Sequence, residues 1–162
     1  MTEPHDIAGV IAPPPLLALA VVVLGLVLDR LAPAYVLTVL LDFDKRIFIG
    51  VILMVAGVWL TIRAVLDFRT AGTRVEPWKP STALVTTGIF GWLRNPMYVG
   101  GTLILAGLSI VLASDWMLVM TIVFVLVIHF GVVKREERYL AARFSDAYQH
   151  YIDTVPRYGW PL

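Results

Sequence analysis

Cysteine is absent from the 162 residues. Disulfides, zinc–thiolate sites and cysteine nucleophiles are therefore excluded. Charge is scarce as well: Asp, Glu, Lys and Arg make up 15%, against about 25% in a soluble domain. The formal net charge is only +1, so no global field draws an anionic polymer and a nucleic-acid partner is not expected. Internal repeats and low-complexity tracts are missing too. The three histidines are scattered and have no metal-ligand spacing, so no metal is expected. What fills the chain instead is apolar: 59% hydrophobic residues and a mean hydropathy of +0.81. That composition is far from disorder and from an ordinary soluble domain.

The gaps between charged residues locate the apolar stretches. Asp6 and Asp29 are separated by 22 uncharged residues, Arg94 and Asp115 by 20, and Asp115 and Lys134 by 18. Each is long enough to cross a bilayer, which takes about 20 residues. The gap between Arg46 and Arg63, 16 residues, suffices if both arginines reach back to the headgroups. The 11 residues from Leu31 to Leu41 contain Pro33 and are too short to cross; they read as a re-entrant or interfacial piece. Glu3 and Asp6, with no Lys or Arg beside them, are the wrong flank for a cleaved signal peptide. The expected fold is an all-α integral membrane protein of about four transmembrane helices plus an interfacial C-terminal helix, a single membrane domain over residues 1–162. Residues 1–84 supply the N-terminal spans and the first part of a loop, and residues 85–162 the catalytic half.

Four spans place ten of the thirteen Lys and Arg residues on one side. The positive-inside rule puts that side, with both termini, in the cytoplasm. Trp78, Trp92, Trp116 and Trp160 suit anchoring at the membrane surface. The last two spans are joined only by a turn at Ser114 and Asp115, so they form an antiparallel hairpin. The loop from Arg63 to Leu93 is too long for a mere connection and is expected to have a task. From Lys134 to Ile152 the apolar residues recur at helical steps, and Pro156 stops the pattern. A mixed aromatic and charged helix just past a span fits the interface plane or a lid over the bundle.

Three polar features break the apolar background. His129 lies inside the fourth span, where an ionisable group is costly unless it is used or hydrogen-bonded to a neighbouring helix. Glu136 and Glu137 sit at the end of the same helix, where the dipole disfavours acids. Seven residues separate His129 from Glu136, so a straight α-helix puts them on one face, about 10 Å apart. Arg94 stands at the mouth of the third span, followed by Asn95 as an N-cap and Pro96 in the first turn. An arginine beside free helix N–H groups makes an anion-binding corner. Gly100 and Gly101 leave the helix surface bare, for close packing or for a flat ligand. The antiparallel hairpin brings Arg94 and Glu136 to one mouth, with His129 deeper in the same crevice.

The ordered set Arg94-Asn-Pro-Met-Tyr98-x-Gly100, His129, Glu136-Glu137-x-x-Leu140-x-x-x-Phe144, Tyr148-x-x-Tyr151 and Val155-Pro156-Arg157 resembles the isoprenylcysteine carboxyl methyltransferase family. That family is in turn similar to the phospholipid N-methyltransferases, which also carry an Asn-Pro-Met-Tyr segment and a Glu-Glu pair. The resemblance covers Val85 to the C-terminus, about half the chain. It implies an integral membrane methyltransferase using S-adenosylmethionine, held at the cytoplasmic end of the last two spans under the C-terminal helix. By position, His129 and Glu136 or Glu137 would contact the cofactor. Pro96, Tyr98 and Gly100 would line the cofactor or acceptor pocket. Arg94 would bind an acceptor carboxylate, with Glu137 the second catalytic candidate. The isoprenylcysteine enzymes usually show Arg-His-Pro where this chain has Asn95. That departure shifts weight towards bacterial relatives, with the bacterial inner membrane as the expected location, or towards lipid amine methylation.

The expected acceptor is lipophilic, most simply a prenylcysteine-type carboxylate, which is already a nucleophile and needs only positioning. A phospholipid amine or a small thiol must first lose a proton, so a Glu or His129 would act as base. A four-span scaffold or transporter subunit is the non-enzymatic alternative, with His129 and Glu136 structural. Membrane sterol reductases are similar in their C-terminal spans, which leaves a reductase as another enzymatic reading.

Overall fold

Prolines and short polar caps set the helix starts. In the computed structural model, which describes residues 7–73 and 76–159, Pro14 begins α1, Pro14–Leu31. Proline belongs there because its missing N–H would go unpaired in a first turn anyway. A short α2, Val36–Leu40, follows; the carboxylate of Asp115 accepts from its Val36 and Leu37 N–H groups at 2.9 Å each. Asp42 caps α3, Phe43–Thr70, by accepting the Lys45 N–H at 3.0 Å. The remaining helical elements follow, with a π-helical turn between the last two. They are a 3-10 turn, Gly88–Gly91, then α4, Pro96–Leu112, α5, Asp115–Ile128, and α6, Lys134–Thr154. Among the described residues there is no strand. This is an all-α membrane protein. Glu3, Asp6, Arg74 and Trp160, which entered the charge and anchoring arguments above, lie outside the described residues.

The 16-residue gap does not bound its helix. α3 runs through both Arg46 and Arg63 for 28 residues, about 42 Å at 1.5 Å per residue. α1, α3 and the continuous helix from Asp115 to Thr154 are long and apolar enough to cross a membrane, and α4 is a shorter apolar helix of 17 residues. Large apolar side chains such as Leu24, Val55, Trp59 and Ile122 point outward and are exposed, as a hydrocarbon environment permits.

The hairpin of α4 and α5 forms as expected, through Ala113 in the left-handed region (φ 52°) and Ser114, whose hydroxyl accepts the Met117 N–H at 3.1 Å. Asp29 of α1 accepts from the Ser114 hydroxyl and ties a third helix to that turn. The main partner of α4 is nevertheless α3, and that of α5 is α1. α3 and α4 meet backbone to backbone. A Cβ on Gly57 would lie 2.5 Å from the Gly100 carbonyl oxygen, and one on Gly107 equally close to that of Gly50. Small residues allow such an approach, and it is a main source of helix association in lipid. The pairing sets α4 to begin opposite Thr61, so α3 overhangs it by about nine residues, Ile62 to Thr70. The overhang is one wall of the site.

α5 does not run straight into the tail. A π-helical turn, His129–Val133, separates it from α6. Its Gly131 carbonyl accepts the Ile11 N–H at 3.2 Å, which docks the start of the chain there, and Arg135 Nη1 donates to the Gly9 carbonyl at 2.8 Å. The expected tail helix is also broken. Ser145 has φ 42° and ψ −117°, a conformation unfavourable for a residue with a Cβ. Beyond it α6 packs Tyr148 and Tyr151 onto Ala64 and Phe68 of α3 and onto Phe90. The second half of α6 is thereby a cover over the end of the bundle.

Candidate functional site

The site forms where α3 overhangs α4. Asp67, near the end of α3, accepts the Ile89 N–H at 2.8 Å. Gly88 makes this possible: its φ is +62° and an added Cβ would strike the Asp67 carboxylate. The 3-10 turn is further fixed by Phe90, edge-on to Phe68 at 4.7 Å between centroids. The Tyr151 hydroxyl donates to the Phe90 carbonyl at 2.6 Å. The chain then delivers Arg94 to the mouth of α4, where its N–H donates to the Pro156 carbonyl at 3.0 Å.

Arg94 is 8% exposed. Its Nη1 lies 3.0 Å from Glu137 Oε1, an ion pair without hydrogen-bond alignment, and its Nε has no hydrogen-bond partner among the described residues. Glu137 is also gripped by Arg157, whose Nε and Nη2 donate to its two oxygens at 2.9 and 2.8 Å. The Glu137 hydrogen bonds and charge hold the Arg157 guanidinium even more firmly protonated than usual. Glu136 takes a different partner, the Tyr98 hydroxyl, which donates to Oε2 at 2.8 Å. His129 Nδ1 shares a 2.8 Å hydrogen bond with the Tyr158 hydroxyl. Burial raises the Tyr158 phenol above its ordinary pKa, against the lowering effect of Arg157.

The expected alignment of His129 with Glu136 is therefore replaced. A π turn takes up one residue more than an α turn, so Glu137 and not Glu136 returns to the side of His129. Their partners Arg157 and Tyr158 are consecutive in the chain. Asn95 also departs from expectation. It occupies the N-cap position of α4 without a side-chain cap, and its Nδ2 donates instead to the Arg157 carbonyl at 3.3 Å.

Two cavities adjoin these groups. One, of about 50 Å3, is lined by the polar Arg94, Asn95, Glu136 and Glu137 and by the aromatic Phe90, Tyr148 and Tyr151. The second, about 360 Å3, is apolar and lies between α1, α4 and the loop, lined among others by Pro14, Ala18, Trp78, Tyr98, Gly101 and Phe124. Only the apolar cavity is in the range of small-molecule sites, about 300–1,000 Å3; the polar one is much smaller. Glu76 and Pro77 line both cavities, and the Tyr98–Glu136 hydrogen bond links a wall of one to a wall of the other. The long loop thus has its task as a shared wall. Tyr139 fixes it by accepting the Ser81 N–H at 3.0 Å. Of the other sequence candidates, Pro96 is fully buried, Gly100 is in the seam with α3, and His129 faces the tail. None of these three lines either cavity. Among the described residues no group of three acidic or imidazole side chains could hold a metal ion.

Sequence reading gave no site role to Glu76, Tyr148, Tyr151, Arg157 or Tyr158. The one signal for Arg157 was its place after Val155 and Pro156 in the motif set.

A family model for phospholipid methyltransferases matches residues 45–147. The chain belongs to the phospholipid methyltransferase family. It is a membrane methyltransferase of the wider group to which the motif set pointed. The matched residues run from α3 into the second half of α6, and so include Arg94, Tyr98, Glu136 and Glu137 but neither Arg157 nor Tyr158. No curated protein and no solved structure matches the chain.

Proposed function

We propose that the protein transfers a methyl group from S-adenosylmethionine to the headgroup of a lipid, with the cofactor in the polar cavity and the lipid chain in the apolar one. The observation that carries this reading is the juncture of the two cavities at Glu76, Pro77 and the Tyr98–Glu136 pair. The lining of the polar cavity suits the cofactor, and its volume of about 50 Å3 must widen, by a shift of the α6 cover, to admit it. The buried Arg94 Nε, without a partner among the described residues, offers a donor to its carboxylate. Glu136 and Glu137 offer acceptors for its ammonium and ribose hydroxyls, and Phe90, Tyr148 and Tyr151 offer flat walls for its base. Bound there, it supplies an electrophilic methyl group on sulfur.

The chain's own residues favour a lipid amine over a carboxylate as acceptor. The apolar cavity has no Lys, Arg or His among its lining residues, so an acceptor carboxylate would have no counter-ion inside it. Arg94, the candidate for that task, is engaged by Glu137. Trp78 and Tyr98 offer aromatic faces to an ammonium headgroup. Before reacting, the amine gives up a proton, and Glu136 Oε2, reached through the Tyr98 hydroxyl, is placed to take it. The second reading, a prenylcysteine-type carboxylate, draws on the motif set and on the unpaired Arg94 Nε; it requires Arg94 to turn from Glu137 to the acceptor.

Ten of the thirteen basic residues belong to the segments at the site end, so the same reading puts the reaction, and both termini, on the cytoplasmic face. The bacterial inner membrane is the setting we infer. The test is calorimetric binding of S-adenosylmethionine and S-adenosylhomocysteine, followed by transfer of labelled methyl groups in vesicles. Vesicles of phosphatidylethanolamine are compared with vesicles doped with a prenylcysteine. Label in the amine lipid supports the first reading, label in the prenylcysteine the second. A folded protein that binds neither cofactor form overturns both.

A further inference from the structure

Five glycines lie on the α-helices at or near the membrane-spanning contacts of α3 and α4, and four of them have a steric reason. A Cβ on Gly50, Gly57, Gly100 or Gly107 would come within 2.5 to 2.7 Å of a backbone carbonyl of the facing helix. Gly101 is the exception. An added Cβ there would meet nothing within 4 Å, and its φ is not positive. A glycine inside a helix costs about 0.5–1 kcal/mol relative to alanine. Neither backbone geometry nor helix packing offsets that cost at Gly101. What the residue does instead is line the apolar cavity, in line with Tyr98 and Ile104 at three-residue steps along α4. The absent side chain is cavity volume, roughly 4.5 Å deeper than Tyr98 along the helix.

We infer that Gly101 is a specificity-determining residue: it keeps open the part of the apolar cavity through which the acceptor's hydrocarbon chain passes next to the reacting headgroup. This rests on the reading above, in which that cavity takes the lipid acceptor. The acceptor's chain belongs in this cavity by continuity, because Glu76 and Pro77 are common to the polar and apolar cavities and the Tyr98–Glu136 hydrogen bond joins them. A side chain at Gly101 narrows the passage without touching the groups around Arg94, Glu136 and Glu137. Selection then acts on the chain and not on the methyl donor.

The test is a series, Gly101→Ala, Gly101→Leu and Gly101→Phe. For each variant the melting temperature, the affinity for S-adenosylmethionine and methyl transfer are measured. Transfer is followed to long-chain phosphatidylethanolamine, to a prenylcysteine and to short-chain analogues of each. Native mass spectrometry reports lipid retained through purification. KM for the long-chain acceptor should rise with side-chain volume, on the order of 10-fold or more for Phe. Cofactor affinity and turnover of the short-chain analogue should stay at wild-type values. Lipid should be retained by the wild type and lost by Gly101→Phe. Equal losses on long and short acceptors, or undiminished long-chain turnover by a folded Gly101→Phe variant, overturn the role of Gly101 alone. A wild type that neither retains nor methylates any lipid overturns the functional reading and this inference with it.

Discussion

Arg157 reaches across both oxygens of Glu137, at 2.9 and 2.8 Å, while Arg94 stands 3.0 Å from the same carboxylate. One acid thus bridges two guanidinium groups in a largely enclosed place. Removing it leaves both cations facing each other.

Glu137→Gln should therefore destabilise the protein by roughly 3–5 kcal/mol, the cost of an uncompensated buried charge. Arg157→Lys keeps the charge but loses the two-pronged grip, and should cost about 1.5–3 kcal/mol. Thermal unfolding in detergent gives the order. Arg157→Lys as the more damaging change would contradict the bridging role of Glu137.

Tyr98→Phe deletes only the hydroxyl that donates to Glu136. The fold should persist with a stability loss of about 1–3 kcal/mol, because the buried Glu136 carboxylate loses its donor, and cofactor binding should remain. Methyl transfer should fall about 10- to 100-fold, the worth of one hydrogen bond to a charged group. Steady-state rates beside calorimetric cofactor binding separate the two effects.

Gly57→Ala and Gly101→Ala add the same methyl group to facing helices. The first meets a carbonyl oxygen at 2.5 Å and the second meets nothing. The expected result is a loss of about 1–3 kcal/mol for Gly57→Ala and a gain of up to about 1 kcal/mol for Gly101→Ala. Equal melting temperatures would argue against the backbone seam.

Ser145→Gly should raise stability by about 1–2 kcal/mol, by relieving a positive φ at a residue with a Cβ. Ser145→Val should lower it. Both are read from melting temperatures, and activity should follow only if the cover formed by the second half of α6 shifts.

The apolar helices were legible because a charge in hydrocarbon is expensive, so Asp29, Arg94, Asp115 and Lys134 mark out the apolar stretches. The hairpin at Ser114 was legible because so short a turn has one outcome. The extent of α3 was not: Arg46 and Arg63 look like its limits only if a helix must end where its apolar stretch does. The π turn was invisible as well, since His129 to Val133 have no composition that separates a wide turn from an α turn. With it went the choice between Glu136 and Glu137. Asn95 reads as an N-cap from its neighbours alone, but its amide is taken by the tail. Arg157 and Tyr158 reach the site through tertiary folding, and only the Val-Pro-Arg motif hinted at one of them. Gly100 and Gly101 are indistinguishable in sequence. Their difference lies in which one α3 covers.

The glycine seam has a mechanical consequence. With glycines of α3 and α4 set against each other's carbonyls at two levels a heptad apart, those helices cannot part or slide without giving up contact along their whole shared length. α1 is fastened to α5 in its own way, with Gly25 so close to Met117 that an added Cβ would lie 2.6 Å from its Cα. Between α1 and α4 there is far less contact, and the apolar cavity lies there. The two pairs are held to each other mainly through α4 and α5, so the thinly packed side between α1 and α4 is where the bundle is least fastened.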